Sequence, residues 1–340
     1  MAQTEPLLTA DSWQRQLRDS ITDGTELLRL LKLSPEQVDP STAAAVDFPL
    51  RVPHSFVRRM QPGNPRDPLL LQVLASGREL LDQPGYLRDP LQESGAANPR
   101  PGIVHKYRGR VLLIASGSCA VNCRYCFRRH FPYAENRNSR NVWREALEYV
   151  AEDSSIAEVI LSGGDPLVLT DALLRDLVTQ IAAIPHVQRL RIHTRTPIVL
   201  PARVTDDLLD AVSHPELQTV AVVHCNHANE IDEDVCAALD RVRQRGITLL
   251  NQAVLLRGVN DSAPALTGLS ESLFAAGVLP YYLHLLDRVQ GAAHFEVSDE
   301  RARQLLGEIT NRLPGYLVPK LVREQPGALA KQSLGIEDCR

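Results

Sequence analysis

Residues 158–184, EVILSGGDPLVLTDALLRDLVTQIAAI, decide the fold class. The segment EVILSG is a short apolar run followed by a glycine pair, which is typical of a buried β-strand. Thr170 or Asp171 is then placed to cap a helix that runs through DALLRDLVTQIAAI. A strand followed directly by such a helix is one unit of a parallel α/β sheet.

The same alternation continues on both sides of this unit. Further strands are predicted at VLLIAS (111–116), RLRIHT (189–194), TVAVVH (219–224), ITLLNQAVLL (247–256), LPYYLHLL (279–286) and YLVPKLV (316–322). Further helices are predicted at TDDLLDAVS (205–213), EIDEDVCAALDRVRQR (230–245), PALTGLSESLFAA (264–276) and SDERARQLLGEITNRL (298–313). Six or seven such units favour a full or partial (β/α) barrel, whose reactive groups lie at the carboxyl ends of the strands.

The first hundred residues lack this alternation. Short apolar-faced stretches interrupted by prolines predict helices there, including LLLQVL (69–74) after a turn at GNPRDP (63–68). We therefore divide the chain into a mainly helical extension at 1–100, a barrel core at 101–323 and a C-terminal tail at 324–340.

Composition narrows the class of protein. The 340 residues are 44% hydrophobic and 23% charged, with a formal net charge of -4, so the chain lacks the basic footprint of a nucleic-acid binder. No apolar run approaches the ~20 residues that span a bilayer. The N-terminus does not look like a secretory signal. We expect a cytoplasmic protein that binds neither nucleic acid nor membrane.

Three of the six cysteines lie within eight residues, just after the predicted strand at 111–116. Cys119, Cys123 and Cys126 have the spacing Cys-x3-Cys-x2-Cys. Thiolates are the usual ligands of iron–sulfur clusters. A four-iron cluster with three protein ligands keeps one iron open for a chelating ligand such as S-adenosylmethionine (SAM). The spacing therefore predicts a [4Fe–4S] cluster of this open type.

A structural zinc site is the alternative for these cysteines. Zinc knuckles usually combine a Cys-x2-Cys pair with a second pair downstream. Cys225, Cys236 and Cys339 are too widely separated to supply one. The sequence therefore favours the iron–sulfur interpretation.

The loop SGGDP (162–166) follows the next strand, and its two glycines let the backbone approach a ligand closely. Together with the cysteine spacing, and with the aromatic Tyr125 before the last cysteine, it resembles the radical-SAM superfamily. The resemblance implies SAM contacts by Ser162, Gly163, Gly164, Asp165, His224 and Gln252. A tight turn for the glycines, and ordinary packing roles for His224 and Gln252, remain open alternatives.

Seven blocks occur in one order along the chain: HKYRGRVLLI, CRYCFRR, SGGD, RIHTRTPIVLP, HCNHANEI, NQAVLLRGVND and PYYLHLLD. Together they resemble the lysine 2,3-aminomutase family over roughly 100–331. The blocks CAVNCRYCFRRHFPYAEN and VQGAAHF are most similar to its short bacterial branch, which supplies β-lysine for modifying elongation factor P.

This resemblance implies a third cofactor, pyridoxal phosphate (PLP), held covalently by a lysine. The turn EQPGALAK (324–331) makes Lys331 the candidate. Because the glycine-rich loop of the family is reduced here to one glycine, Lys320 is the fallback. The resemblance also implies that Lys106 and Arg110 bind the phosphate and that Tyr107 lies near the ring.

Substrate contacts are implied in the same way. Arg128 matches the family's carboxylate clamp, while Asp287 and Glu324 match acids that hold the ε-ammonium of lysine. Two carboxylates would repel an acidic side chain, so charge favours lysine over glutamate. The implied activity is an L-lysine 2,3-aminomutase, an isomerase fed by a flavodoxin- or ferredoxin-like electron donor. The resemblance also allows a homo-oligomer.

Two other classes remain open at this point. A different radical-SAM enzyme, including another aminomutase, needs the cysteines and SGGD, and a PLP-independent member needs no PLP lysine. A non-catalytic interaction module stabilised by zinc would ignore SAM. PLP binding and metal content discriminate among the three.

Overall fold

The computed structural model describes residues 11–133 and 140–335. In this part of the chain, nine strands form one sheet, and spatial order follows chain order. They are β1 (Ile103–Tyr107), β2 (Arg110–Ser116), β3 (Glu158–Gly163), β4 (Arg189–Thr194), β5 (Gln218–Val223), β6 (Thr248–Val254), β7 (Leu279–His284), β8 (Lys320–Arg323) and β9 (Gln332–Ser333).

Strands β2 to β8 pair in parallel, whereas β1 and β9 pair antiparallel with the strands beside them. The sheet therefore has two free edges, and the barrel is not closed. This confirms the predicted α/β class and its partial (β/α) barrel.

The α-helices mostly connect successive strands. Among the described residues they are α1 (Asp11–Arg18), α2 (Gly24–Leu30), α3 (Pro35–Val38), α4 (Thr42–Asp47), α5 (His54–Val57), α6 (Arg140–Glu152), α7 (Asp171–Ala182), α8 (Thr196–Val199), α9 (Asp206–Val212), α10 (Glu233–Gln244), α11 (Ala263–Ala275) and α12 (Asp299–Thr310). Short 3-10 helices lie at Gly77–Leu80, Pro166–Val168, Pro201–Arg203, Ala228–Glu230, Ala293–Phe295 and Gly315–Leu317.

Side-chain caps explain where the predicted helices begin. Thr170, Thr205 and Asp232 each accept a hydrogen bond from the backbone N–H three residues further on. Each cap satisfies a donor that the first helical turn leaves unpaired, and such a cap typically contributes about 1 kcal/mol. Thr170 rather than Asp171 is therefore the cap of α7.

Two apolar cores hold the molecule together. The larger lies between the sheet and the helices around it, and includes Leu161, Ile192 and Leu239. The second joins the N-terminal helices to the cysteine loop, because Trp13, Phe56 and Leu70 pack in one cluster with Ala120 and Val121. The segment before β1 thus supports the loop that carries the cysteines.

Some predicted elements were wrong in detail. LLLQVL forms successive turns rather than a regular helix, since the N–H groups of Gln72 and Val73 bond three residues back while that of Leu74 bonds four residues back. Leu69, Leu70 and Val73 are buried, so their spacing imitates a helical face. In YLVPKLV only the end is β8, because a 3-10 helix ends at Leu317 and Pro319 has no N–H to donate.

Among the strands and α-helices described after residue 100, β1, β9, α6 and α8 were not predicted. None of the helices in the described ranges is both long and apolar enough to cross a membrane.

Candidate active site

A cavity of about 350 Å³ lies at the carboxyl edge of the parallel strands. Every site residue predicted from the sequence lines it, apart from the fallback Lys320. They are Lys106, Tyr107, Arg110, Cys119, Cys123, Cys126, Arg128, Ser162, Gly163, Gly164, Asp165, His224, Gln252, Asp287, Glu324 and Lys331. These residues, from seven segments of the chain, therefore surround one space.

The cysteine loop and the SGGD loop lie against each other at one wall. Gly164 N–H donates to Ser116 O at 2.6 Å, and Asp165 N–H donates to Ser118 O at 2.8 Å. Gly163 has φ +108°, and a Cβ there would lie 2.5 Å from Ser116 O. A Cβ on Gly164 would lie 2.7 Å from the Ser118 carbonyl carbon. Both positions require glycine for this contact between loops.

The three thiols of the cysteine loop share a desolvated site. Burial and the neighbouring thiols raise the pKa of Cys119, and they raise the pKa of Cys126 to about 11. Thiolates in this position therefore need added positive charge. The described side chains include no group of three acids, histidines or cysteines placed to share one ion. A four-iron cluster, with each thiolate on a different iron, fits this donor set.

Asp165 connects the ends of β3 and β4. Its carboxylate accepts the Thr194 hydroxyl at 2.7 and 2.9 Å, the Arg195 N–H at 2.7 Å and the Thr196 N–H at 3.0 Å. It also accepts the Leu167 N–H at 3.0 Å. A ligand's amino group would have to displace one of these donors to reach the carboxylate. The geometry shows Asp165 holding the glycine loop in shape.

His224 and Gln252 meet at the far wall, with Gln252 Nε2 2.8 Å from His224 Nε2. Burial, with Arg195 and Arg128 nearby, lowers the pKa of His224 to about 3. The imidazole is therefore neutral at pH 7 and its Nε2 accepts the amide proton. The same contact explains Gln252, whose position inside a strand departs from the rule that site residues follow strands.

An alternating chain of charges runs from the cysteine loop to the C-terminal segment. Arg128 donates to Glu93 through Nε at 2.6 Å and Nη2 at 3.1 Å. Lys106 Nζ contacts Glu93 at 2.8 Å and Glu324 at 2.6 Å, and Lys331 Nζ pairs with Glu324. Burial alone would raise the pKa of Glu324, but Lys331 and Lys106 hold it well below its usual range.

Asp287 differs from the acids in this chain. It lines the cavity, and among the described residues no cation lies within ion-pair distance of its carboxylate. Burial, with the charge of Glu324, raises the pKa of Asp287 to about 7 against the attraction of Lys331 and Lys106. An added cation at this point would stabilise the ionised form.

The two cations predicted to bind the phosphate, Lys106 and Arg110, differ in their ion pairing. Lys106 already contacts two carboxylates, whereas Arg110 makes no ion pair with the described residues and lies 4.7 Å from the centre of the Tyr107 ring. The buried Tyr107 hydroxyl and the Nε2 atoms of His193 and His284 have no hydrogen-bond partner among the described residues. A polar ligand with a phosphate and ring heteroatoms fits these groups.

The two candidate lysines for PLP are clearly separated. Lys331 reaches the cavity, and its Nζ lies 6.0 Å from the centre of the Tyr282 ring. Lys320 is exposed at the start of β8 and does not line the cavity.

Several cavity residues were missed from the sequence. His193, Arg195 and His284 lie at strand ends, so the barrel rule could have identified them. Glu93 had no signal, since it lies in an irregular segment far from any motif.

Comparison with known proteins agrees with this geometry. The model of the radical SAM superfamily matches residues 113–267, which run from β2 into α11. This range contains the three cysteines and the SGGD loop. Membership implies a [4Fe–4S] cluster and SAM.

Similar curated proteins cover nearly the whole chain. L-lysine 2,3-aminomutase of Escherichia coli (strain K12) is 53% identical, over 96% of this chain and 95% of that protein. Those of Haemophilus influenzae and Buchnera aphidicola are 50% and 43% identical, again over at least 94% of both chains. The chain therefore belongs to the lysine 2,3-aminomutase family of radical SAM enzymes.

Proposed function

We propose that this protein converts L-lysine to β-lysine by moving the amino group from C2 to C3. The observation that carries the proposal is Asp287, a cavity carboxylate whose pKa is raised to about 7 and which has no cation paired to it among the described residues. The ε-ammonium of lysine supplies the missing charge. Glu324, at the same end of the cavity, adds a second acid.

The cofactors supply the chemistry and the protein supplies their positions. When bound, the cluster with SAM would provide the radical, and PLP would provide the conjugated group that stabilises the radical while the amino group moves. We assign the cluster to Cys119, Cys123 and Cys126. We assign SAM to the wall formed by Ser162, Gly163, Gly164, Asp165, His224 and Gln252. The neutral His224 and the Gln252 amide can hydrogen-bond a ligand there without adding charge.

We assign PLP to Lys331. Its side chain is only 21% exposed, and its pairing with Glu324 fixes Nζ at the cavity wall. Arg110, which makes no ion pair with the described residues, offers its guanidinium to the phosphate. Tyr107 lies beside Arg110, and Lys106 lines the same cavity.

Arg128 is the proposed carboxylate contact at the other end of the substrate. Its Nε and Nη2 atoms are held by Glu93, so a substrate carboxylate would compete for Nη1, which contacts the uncharged Ser162 Oγ at 3.1 Å and Gly163 O at 3.3 Å. Glu93 would then fix the orientation of the guanidinium. An arginine that is already oriented loses less freedom when it binds a carboxylate.

Charge also separates this function from its alternatives. An aminomutase for glutamate would bring a third carboxylate to Asp287 and Glu324, and an unpaired buried charge costs several kcal/mol. A radical-SAM enzyme without PLP would leave Lys331 and Arg110 without a ligand.

The use of the product, the source of electrons and the division of the chain are also proposed. We infer that the product modifies elongation factor P, on the similarity of CAVNCRYCFRRHFPYAEN and VQGAAHF to the short bacterial branch. We further propose a flavodoxin- or ferredoxin-like electron donor. The division at 1–100, 101–323 and 324–340 is kept as a proposal, with the first segment supporting the cysteine loop and the last carrying Lys331.

An anaerobic assay tests the function. Protein with a reconstituted cluster receives PLP, SAM, a reductant and either L-lysine or L-glutamate, and products are identified by mass spectrometry after derivatisation. We expect β-lysine from wild-type protein, none from Cys123→Ala, and no turnover of glutamate. Cleavage of SAM without any change in lysine would retain the radical-SAM assignment and reject the substrate.

A further inference from the structure

Arg195 follows β4 and contacts a cysteine of the predicted cluster. Its Nη1 atom donates to Cys123 Sγ at 2.8 Å, and also to the Tyr125 hydroxyl. The residue is only 5% exposed. No role in the proposed binding of SAM, PLP or lysine uses this guanidinium.

The surroundings hold Arg195 in a single place. Its Nη2 atom donates to Gln72 Oε1 at 2.7 Å and to Glu230 Oε2 at 3.0 Å, and its backbone N–H is bound by Asp165. The fully buried Glu230 accepts two backbone N–H groups through its other oxygen. A buried arginine fixed by this many contacts cannot swing away from Cys123.

We propose that Arg195 is a positioning residue that raises the reduction potential of the cluster through its hydrogen bond to Cys123. The inference rests on the proposed assignment of the cluster to Cys119, Cys123 and Cys126. Reduction adds one electron to the cluster and breaks no protein bond. A charged donor at a ligand sulfur stabilises the more negative, reduced form, and hydrogen bonds to sulfur are a recognised control of cluster potential.

Glu230 limits the size of this effect. Glu230 pairs with Arg195, so its carboxylate balances much of the positive charge of the guanidinium. The effect on the cluster then comes mainly from the directed N–H···S hydrogen bond. Because the hydrogen bond is present in both redox states, only its greater strength in the reduced state changes the potential, and hydrogen bonds to charged groups are the stronger ones. Loss of the contact should therefore lower the equilibrium constant for one-electron reduction about tenfold, which is a shift of about 59 mV to more negative potential.

The test is a redox titration of the full-length protein with its cluster reconstituted, followed by the electron paramagnetic resonance signal of the reduced state. The variants are Arg195→Gln and Arg195→Lys. Lysine keeps the charge but cannot donate to Cys123, Tyr125, Gln72 and Glu230 together. Arg59→Gln is the matched control, because Arg59 is also buried and donates to Glu230 O and Ile198 O, but among the described residues it makes no hydrogen bond to Cys119, Cys123 or Cys126. Iron and sulfide content is measured for every sample.

We expect Arg59→Gln to have the midpoint potential of wild-type protein. In Arg195→Gln the equilibrium constant for one-electron reduction should be about tenfold lower. Arg195→Lys should have a potential between those two. A wild-type potential in Arg195→Gln with four irons bound overturns the proposal. If Arg195→Gln takes up no iron, Arg195→Lys decides by the same criterion. If neither variant loads while Arg59→Gln does, Arg195 serves cluster assembly and the tuning role is wrong. A wild-type sample without a four-iron signal would reject the cluster assignment itself.

Discussion

Glu93 and Arg128 form a two-point ion pair that joins the irregular segment before β1 to the cysteine loop. Arg128 Nε and Nη2 donate to the two oxygens of Glu93 at 2.6 and 3.1 Å, and both side chains are less than 10% exposed. Because Lys106 also contacts Glu93, one carboxylate orients two cations of the cavity. The N-terminal segment therefore contributes directly to the cavity wall.

Glu93→Gln should damage both stability and turnover. It leaves Arg128 and Lys106 with one less negative charge, and breaking a buried ion pair costs about 3–5 kcal/mol. We expect a lower Tm, and a kcat/KM for lysine reduced more than tenfold. Glu271→Gln, which removes an exposed charge from α11, is the control. Wild-type Tm and kcat/KM in Glu93→Gln would mean that the pair orients nothing.

Lys331→Ala should abolish the Schiff-base absorbance of bound PLP while the iron content stays unchanged. The expected result follows from the position of Nζ at the cavity wall, away from the cysteine loop. Lys320→Ala is the matched control, since Lys320 is exposed outside the cavity. A normal PLP spectrum in Lys331→Ala together with its loss in Lys320→Ala would transfer the role to Lys320.

Asp287→Asn should lower kcat/KM for lysine by about 10²–10³-fold, because it leaves the substrate ammonium without its partner. Asp287 must be ionised to bind that cation, and its pKa is raised to about 7. Wild-type kcat/KM should therefore fall as pH drops from 8 to 6, whereas the residual kcat/KM of the variant should not show this fall. An identical pH profile in both proteins would exclude Asp287 from lysine binding.

The same substitution has the opposite effect on folding. A raised carboxyl pKa means that the native state binds the proton more tightly than the unfolded state, whose value is near 3.8. The resulting stability is present below pH 4 and is lost as pH rises through 7. We expect Asp287→Asn to melt above wild-type protein at pH 8, with the difference in Tm smaller at pH 5 and lost only below pH 4. A Tm difference that is constant with pH would contradict the shift.

Gly164→Ala should destabilise the protein by about 1–3 kcal/mol, because its Cβ would overlap the Ser118 carbonyl group and overpacking costs this much. Separation of the two loops should also reduce iron uptake. Gly268→Ala is the control, since nothing lies within 4 Å of the added Cβ in α11. That change should stabilise the helix by up to about 1 kcal/mol. Thermal melts and iron assays measure both effects.

Strands β3 to β7 could be predicted because an apolar run is followed by a capped helix, and five of the predicted helices begin at or within a few residues of the observed start. The antiparallel edge strands β1 and β9 could not be predicted. Strand β1 is short and half-polar, and β9 has two exposed residues, so their pairing depends on neighbouring strands rather than on local pattern.

The cavity residues divide in the same way. The cysteines and SGGD have spacings tied to chemistry, and Lys331 was found through resemblance. Glu93 and Gln72 belong to buried polar networks whose partners lie 35 and 123 residues away in sequence. Nothing in the local sequence marks such partners, since an isolated Glu or Gln is most often a solvated surface residue.

The position of nitrogen in the product tests the proposed shift of the amino group from C2 to C3 most directly. L-Lysine labelled with 15N at the α-amino group is incubated anaerobically with the reconstituted protein, PLP, SAM and a reductant, and the product is analysed by NMR. We expect β-lysine with the label bonded to C3. A label that stays on C2, in a sample that cleaves SAM and holds four irons and PLP, would contradict that expectation.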